Sequence, residues 1–157
     1  MIRAALLLPL LMAGCTAGVP TDTQPAAQAG TDALAQVGRW ELQGAADAQG
    51  RPMAALLPQG RTVHSLVFAD GQLAIEGGCN HIGARYRIDG SGRLVVPEIE
   101  STVMACMDED LMAADSAVSA LMRGSSEWSI AESYPEQLSL QHSDGRRSHW
   151  VADRPSP

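Results

Sequence analysis

Short β-rich runs separated by Asp-Gly turn signals are the feature that most constrains how this chain can fold. The clearest pair is residues 62–68 and residues 72–76, which flank Asp70-Gly71. A two-residue Asp-Gly connection between such runs is a strong β-hairpin signal, because its positive-φ geometry matches the twist of the flanking strands. Asp144-Gly145 is a second signal of this kind. The pattern predicts antiparallel strands that follow one another in meander order.

The remaining strands are shorter, and one segment has a helical period instead. Besides the first hairpin, strands are predicted at residues 37–42, 85–88, 94–96, 99–103, 128–130, 137–141 and 148–151. In residues 108–122 the apolar side chains recur at helical spacing: Leu111, Ala114, Val118, Leu121 and Met122. The sequence therefore predicts an α+β fold, in which a curved antiparallel β-sheet packs on one α-helix.

Three acidic residues, Asp108, Glu109 and Asp110, begin the predicted helix. Carboxylates in the first turn are stabilised by the helix dipole, and Gly124 is a natural C-terminal cap. A calcium site is the alternative reading of this acidic cluster. It lacks the alternating ligand pattern of calcium loops, so helix capping is the preferred interpretation.

The N-terminus has the pattern of a bacterial lipoprotein signal. Met1-Ile2-Arg3 is a short basic region, and residues 4–13 are apolar but too few to span a bilayer. The run ends in Leu11-Met12-Ala13-Gly14-Cys15, which resembles a lipobox. We expect residues 1–14 to be a signal peptide and Cys15 to carry the lipid. The alternative is an ordinary signal followed by an incidental cysteine.

The address and the domain boundaries follow from this signal. Thr16 follows Cys15, where an Asp would resemble an inner-membrane retention signal. We therefore expect a lipid-anchored protein of the cell envelope, on the outer membrane and facing the periplasm. Residues 15–36 have few large apolar groups and are predicted to be a flexible tether. The folded domain is predicted at residues 37–153, with a disordered tail at 154–157.

The chain has three cysteines. If Cys15 is acylated, Cys79 and Cys106 remain as an even pair in an oxidising compartment, where a disulfide is expected. Such a bridge would stabilise the fold by about 3.5 kcal/mol in the chain-entropy model. The alternative is two free thiols, one of them reactive.

The charge balance bears on partners. The formal net charge is −7, and every one of the eleven basic residues is arginine. A negative field repels phosphates, so we expect no nucleic-acid partner. It would favour a cationic envelope or host protein, although acidity that serves only solubility is the simpler explanation. We expect a monomer.

Two motifs at a fixed separation then resemble a known family. Gly78-Cys79-Asn80, followed by Gly83 and Tyr86 and then by Thr102-Val103-Met104-Ala105-Cys106, is similar to the META domain of the HslJ heat-shock family. The resemblance covers about residues 37–151. Asp115 and Val118 stand near places where the family often has Glu and Phe. The resemblance implies the α+β fold and a non-enzymatic role in envelope or heat stress or antibiotic tolerance.

Sharper chemistries have weaker support. The four histidines show no metal-ligand spacing: His64, His81, His142 and His149. Cys79 and His81 share a strand face and would suit a thiol nucleophile and base, but the disulfide is the simpler account. We therefore expect no catalytic residue, metal or cofactor.

A second function class stays open. Small lipoproteins that inhibit a cationic hydrolase such as lysozyme are an analogous group, and inhibition requires a protruding loop. Residues 44–60, which contain two prolines and are predicted to be mostly loop, are the candidate for it.

Overall fold

The computed structural model describes residues 26–154, within which the chain forms two α-helices and ten strands. The helices are α1 (Ala26–Gln36) and α2 (Glu109–Met122). The strands are β1 (Arg39–Ala46), β2 (Ser65–Ala69), β3 (Gln72–Glu76), β4 (Ile82–Arg85), β5 (Arg87–Ile88), β6 (Leu94–Val96), β7 (Ile99–Ser101), β8 (Gly124–Ala131), β9 (Gln137–His142) and β10 (Arg147–Ala152). The predicted signal peptide, Cys15 and residues 155–157 of the predicted tail lie outside the described residues.

One curled antiparallel sheet contains all ten strands, in the order β5-β6-β8-β9-β10-β1-β2-β3-β4-β7. The predicted strand at residues 85–88 is interrupted at Tyr86, whose N–H donates to Gly71 O instead (2.9 Å). Because β4 and β5 adjoin in sequence but belong to opposite ends of this order, the chain itself joins the two ends. The sheet therefore forms a half-barrel, and the predicted curved antiparallel sheet is confirmed.

The core lies inside this curl, and alternation along the strands fills it. In β9, Leu138, Leu140 and His142 are buried, and in β10 Trp150 is fully buried between the half-buried His149 and Val151. Trp40 of β1 and Phe68 of β2 add further large side chains. Phe68 contacts Tyr86 edge-to-face, with ring centroids 5.0 Å apart. Burial of aromatic and aliphatic side chains on one sheet face is what holds the half-barrel together.

Helix α2 begins and packs as the sequence predicts. Asp108 is its N-cap, and the Asp108 side chain accepts a hydrogen bond from Leu111 N (3.0 Å). Val118, Leu121 and Met122 join the core of the sheet. The helix also buries Asp115, a charged residue on an otherwise apolar face.

Helix α1 corrects the last part of the predicted tether, residues 26–36, whereas residues 15–25 lie outside the described residues. Residues 26–36 are helical, Leu34 is fully buried, and Trp40 Nε1 donates to Leu34 O (3.1 Å). A Cβ on Gly30 would lie 3.1 Å from Trp128 and 3.2 Å from Ile88, so this glycine lets the helix approach closely. Alanine-rich sequence has high helix propensity, and one leucine with a close approach anchors it. No helix within residues 26–154 is long and apolar enough to cross a bilayer.

The segment at residues 44–60 is only partly loop. Its first residues extend β1, and two 3-10 turns follow at Ala54–Leu56 and Pro58–Gly60. Leu56 and Pro58 are buried. Much of the segment is therefore part of the folded layer beneath α2 and does not protrude.

Candidate functional site

A buried carboxylate, Asp115 of α2, organises the region of the first motif. The residue is 4% exposed. Oδ2 accepts three hydrogen bonds, from Cys79 N (3.1 Å), Asn80 N (2.9 Å) and Asn80 Nδ2 (3.0 Å). Oδ1 lies 2.9 Å from Nε2 of His64, which is 1% exposed. Since Asp115 can only accept, His64 Nε2 carries the proton in this pair. We call Asp115, His64 and Asn80 the Asp115 cluster.

Two glycines make this approach possible. A Cβ on Gly78 would lie 1.6 Å from Asp115 Oδ1, a distance that no side chain tolerates. Gly77 has φ +106°, and a Cβ there would lie 1.8 Å from Val63 O. Only residues without a Cβ let the chain turn into the carboxylate here. The Gly78 position of the motif therefore has a steric cause.

The second motif is attached to the same cluster through Asn80. The side-chain Oδ1 of Asn80 accepts from Met104 N (2.9 Å). Thr102 Oγ1 accepts from His81 N (3.0 Å), and Thr102 N donates back to His81 O (3.1 Å). The loop between β7 and α2 is thus bonded to the first motif at several points.

A disulfide completes the attachment. Cys79 and Cys106 are bridged, with Cα atoms 6.1 Å apart and a sequence separation of 27. The predicted disulfide is confirmed, and it removes Cys79 from the alternative role of thiol nucleophile beside His81. Cys106 lies just before Asp108, the cap of α2, so the bridge joins the first motif to the start of the helix.

The loop held in this way exposes apolar side chains. Val103 and Met107 are fully exposed, Met104 is 50% exposed, and Met112 on α2 is 42% exposed. Val103, Met104 and Met112 line one cleft of about 310 Å³ beside Asn80 and α2. We call Val103, Met104, Met107 and Met112 the Val–Met patch.

The predicted site residues divide into two groups. Six of them meet in the structure around the Asp115 cluster and the disulfide: Gly78, Cys79, Asn80, Thr102, Met104 and Cys106. Gly83 and Tyr86 lie elsewhere in the sheet, and Ala105 is exposed on the loop. A Cβ on Gly83 would meet only Leu73 O, at 3.9 Å. Gly83 therefore has no close neighbour that demands a glycine, and β4 pairs regularly there.

Sequence reasoning did not connect His64 to Asp115. The available signal was Asp115 itself, a carboxylate on the apolar face of a helix, because such a group needs buried partners. Within residues 26–154, no three His, Cys, Asp or Glu side chains are grouped as a metal would require.

A second buried polar group lies elsewhere in the half-barrel. His142 Nδ1 is 2.9 Å from Ser126 Oγ, and His142 Nε2 is 3.2 Å from Ser148 Oγ, which also accepts from Trp150 Nε1 (2.9 Å). Burial, and to a smaller extent the nearby Arg146 guanidinium, lowers the pKa of His142 to about 4, while Asp144 opposes the shift. His142 is therefore neutral at pH 7, with hydroxyl groups as its partners.

The outer face of the sheet carries a shallow groove of about 570 Å³. Its floor includes Ser129, Ser139 and His149, on neighbouring strands. Ser139 Oγ and His149 Nδ1 are 3.4 Å apart, at the long end of hydrogen-bond distances. Small and polar residues on a solvated sheet face account for this groove.

These observations define a class first: a small α+β domain in which a curled antiparallel sheet is tied to a helix by a buried carboxylate and a disulfide. The family model of the META domain matches residues 32–154. The chain belongs to the META domain family.

Solved structures agree with this assignment at the level of the fold. One is an NMR structure of a protein from Burkholderia xenovorans, 19% identical, covering 91% of this chain and 100% of that chain with a TM-score of 0.61. A second NMR structure is 16% identical and covers 78% of this chain and 93% of that chain, with a TM-score of 0.51. No curated protein is significantly similar to this chain in sequence.

Proposed function

We propose that this META domain protein is a non-enzymatic binding protein of the cell envelope. A lipid at Cys15 anchors it to the outer membrane, facing the periplasm, and it contributes to envelope or heat stress or antibiotic tolerance, as the HslJ resemblance implies. The binding role rests on one observation: Val103 and Met107 are fully exposed on a loop that the fold fixes in place.

The exposed loop is also rigid. Contiguous exposed apolar side chains on a soluble domain mark interaction surfaces more often than they serve the fold. Here the loop is fixed by Thr102, by Met104 N on Asn80 and by the Cys106 disulfide. A preorganised loop loses little conformational entropy on binding, so its apolar contacts convert into affinity. Methionine side chains adapt to the shape of a partner.

The non-enzymatic part of the proposal is supported by how the reactive side chains are used. The Cys79 sulfur is in the disulfide, and the His64 ring bonds to Asp115 in the interior. Asn80 uses both ends of its amide inside the protein. These groups, which would otherwise suit acid–base or nucleophilic chemistry, hold the loop and the helix in place.

The hydrolase-inhibitor alternative gains no support from the geometry. The candidate loop buries Leu56 and Pro58, and its tip is a tight turn closed by Asp47, which accepts from Gln49 N and Arg51 N (2.9 Å each). A turn of this size does not reach far into an active-site cleft. Binding through the Val–Met patch is therefore favoured over inhibition by insertion of this loop into an active site.

The test is survival of a deletion strain under heat and under a membrane-excluded antibiotic, with chromosomal complementation. We expect wild type to restore survival, and Cys15→Ala and the double variant Val103→Ser/Met107→Ser to fail at equal protein levels. Tyr134→Ser is the matched control, because Tyr134 is 60% exposed but lies outside the Val–Met patch. Normal survival of the deletion strain in both conditions would contradict the proposed function.

A further inference from the structure

The Val–Met patch adjoins a set of carboxylates, and together they indicate the chemistry of a partner. We infer that this surface docks a basic amphipathic segment of another envelope protein. This inference rests on the proposed binding function and names the partner class of the same surface. Nothing in the fold requires Val103 or Met107 to be apolar, since neither side chain is buried at all.

Apolar and acidic groups lie side by side where the loop meets the start of α2. Met107 shares a shallow depression with Asp108, Glu109 and Asp110 at the start of α2. On the other side, Val103, Met104 and Met112 line the cleft beside α2. A ligand seated at Met107 would therefore contact an apolar side chain and carboxylates together.

The charges on this surface are available to a partner. Glu109 and Asp110 are exposed, and within residues 26–154 neither forms a salt bridge. Elsewhere in that range, Asp47, Glu76, Glu127, Glu136 and Asp144 each pair with an arginine. The N-terminal dipole of α2 favours the carboxylates but leaves their formal charge in place. A cationic side chain is the complementary group.

Charge also selects among the possible occupants. An anionic lipid surface would be repelled by Glu109 and Asp110 and by a chain of net charge −7. A second copy of this chain would bring the same carboxylates together. A basic amphipathic segment satisfies both features, because its apolar residues fill the cleft while its lysines or arginines meet the carboxylates.

The experiment measures binding of a labelled fourteen-residue peptide of leucine and lysine by fluorescence anisotropy. The peptide is titrated with the full-length META domain protein, purified in detergent from its host envelope. A peptide of leucine and glutamate with the same pattern is the probe control. We expect the lysine peptide to bind at least about tenfold more tightly, with an affinity that falls as salt rises.

Variants assign the binding to this surface. Val103→Ser/Met107→Ser should weaken binding of the lysine peptide about tenfold or more, as loss of central apolar contacts does. Glu109→Gln/Asp110→Asn should weaken it and flatten its salt dependence. Tyr134→Ser and Glu132→Gln are the matched apolar and acidic controls and should bind as wild type. Circular dichroism checks that each variant is folded.

Three results would overturn the inference: equal binding of both peptides, unchanged affinity in both patch variants, or tighter binding to vesicles of anionic lipid than to the lysine peptide. Its failure is distinguishable from that of the proposed function. Patch-dependent peptide binding with normal survival of the deletion strain would contradict only the function. Patch-independent binding with impaired survival would contradict only the docking surface.

Discussion

Two buried histidines in this domain are held in different ways. His64 bonds to the carboxylate of Asp115 at the junction between sheet and helix, and the disulfide lies beside it. His142 lies in the sheet itself between the hydroxyl groups of Ser126 and Ser148. The first site contains a charge that four donors satisfy, whereas the second contains only neutral partners.

Because their partners differ, the two histidine sites contribute to stability in different ways. A carboxylate with several donors ties separate segments together, and its removal leaves those donors buried without an acceptor. The hydroxyl partners of His142 carry no charge, and burial of the ring disfavours its charged form. We therefore expect the Asp115 cluster to respond most to mutation, and His142 to respond most to pH.

The largest expected effect is that of Asp115→Asn, which keeps the shape but puts an amide where only an acceptor fits. At least one donor among His64, Cys79 N and Asn80 loses its partner. We expect the free energy of unfolding to fall by about 4–5 kcal/mol. Urea unfolding at pH 7, followed by tryptophan fluorescence, measures it.

Gly78→Ala tests the same cluster by changing the segment whose backbone packs against Asp115. Its Cβ would lie 1.6 Å from Asp115 Oδ1, so the carboxylate must move, and we expect a comparable loss of stability. Glu109→Gln is the control on the same helix, and should change stability by less than about 1 kcal/mol. Equal effects of Asp115→Asn and Glu109→Gln would show that the cluster does not hold the fold together.

The disulfide gives the next effect. Reduction, or the double variant Cys79→Ser/Cys106→Ser, should lower the free energy of unfolding by about 3.5 kcal/mol, because the unfolded chain regains the entropy of an open loop. Hydrogen exchange of the reduced protein should increase at Asn80 and Met104. It should increase less at His142, where it rises only through global unfolding, and an equal increase there would show that the disulfide does not act locally.

The pH dependence of stability reports on His142. Its folded pKa of about 4 lies below the ordinary value of 6.5, so the unfolded chain binds the proton more readily. Stability is therefore complete above about pH 6.5 and is lost as the pH falls towards 4, by about 3 kcal/mol. The lowered pKa values of Asp47, Asp89 and Asp144 act below their ordinary value of 3.8, outside this window.

His142→Gln provides the control for that window. The variant loses stability at pH 7, since glutamine cannot place two polar atoms as the ring does. It should also lose less stability than wild type between pH 6.5 and pH 4, because the titrating group is gone. An unchanged slope in the variant would assign the pH dependence to another group. Thermal unfolding at closely spaced pH values measures both.

The strands and the main helix could be predicted from the sequence, because each has a strong local signal. Asp70-Gly71 set the hairpin of β2 and β3, and the capped apolar period over residues 108–122 gave α2. Helix α1 could not be predicted from its composition. Its position depends on packing against β2 and β5 and on the close approach of Gly30 to Ile88 and Trp128, which are distant in sequence.

The site divides in the same way. The cysteine pair could be predicted, because two cysteines remain once Cys15 is assigned to the lipid. The motif residues around Asn80 could be predicted because they adjoin one another in sequence. The pairing of His64 with Asp115 spans 51 positions and needs the curl of the sheet to bring β2 beneath α2. The exposure of Val103 and Met107 could not be predicted from the sequence either, because an apolar residue is first assigned to the core.

The smallest expected effect is that of Gly83→Ala, which distinguishes the role of Gly83 from that of Gly78. Gly83→Ala places a Cβ 3.9 Å from Leu73 O, an ordinary contact, in a regular strand where φ is not positive. Replacing glycine by alanine also lowers the entropy of the unfolded chain. We therefore expect a change within about 1 kcal/mol, towards stabilisation, in the same urea measurement that shows a large loss for Gly78→Ala. A large loss at Gly83 would mean that β4 is packed more tightly than its neighbours indicate, and that the motif glycines share one structural role.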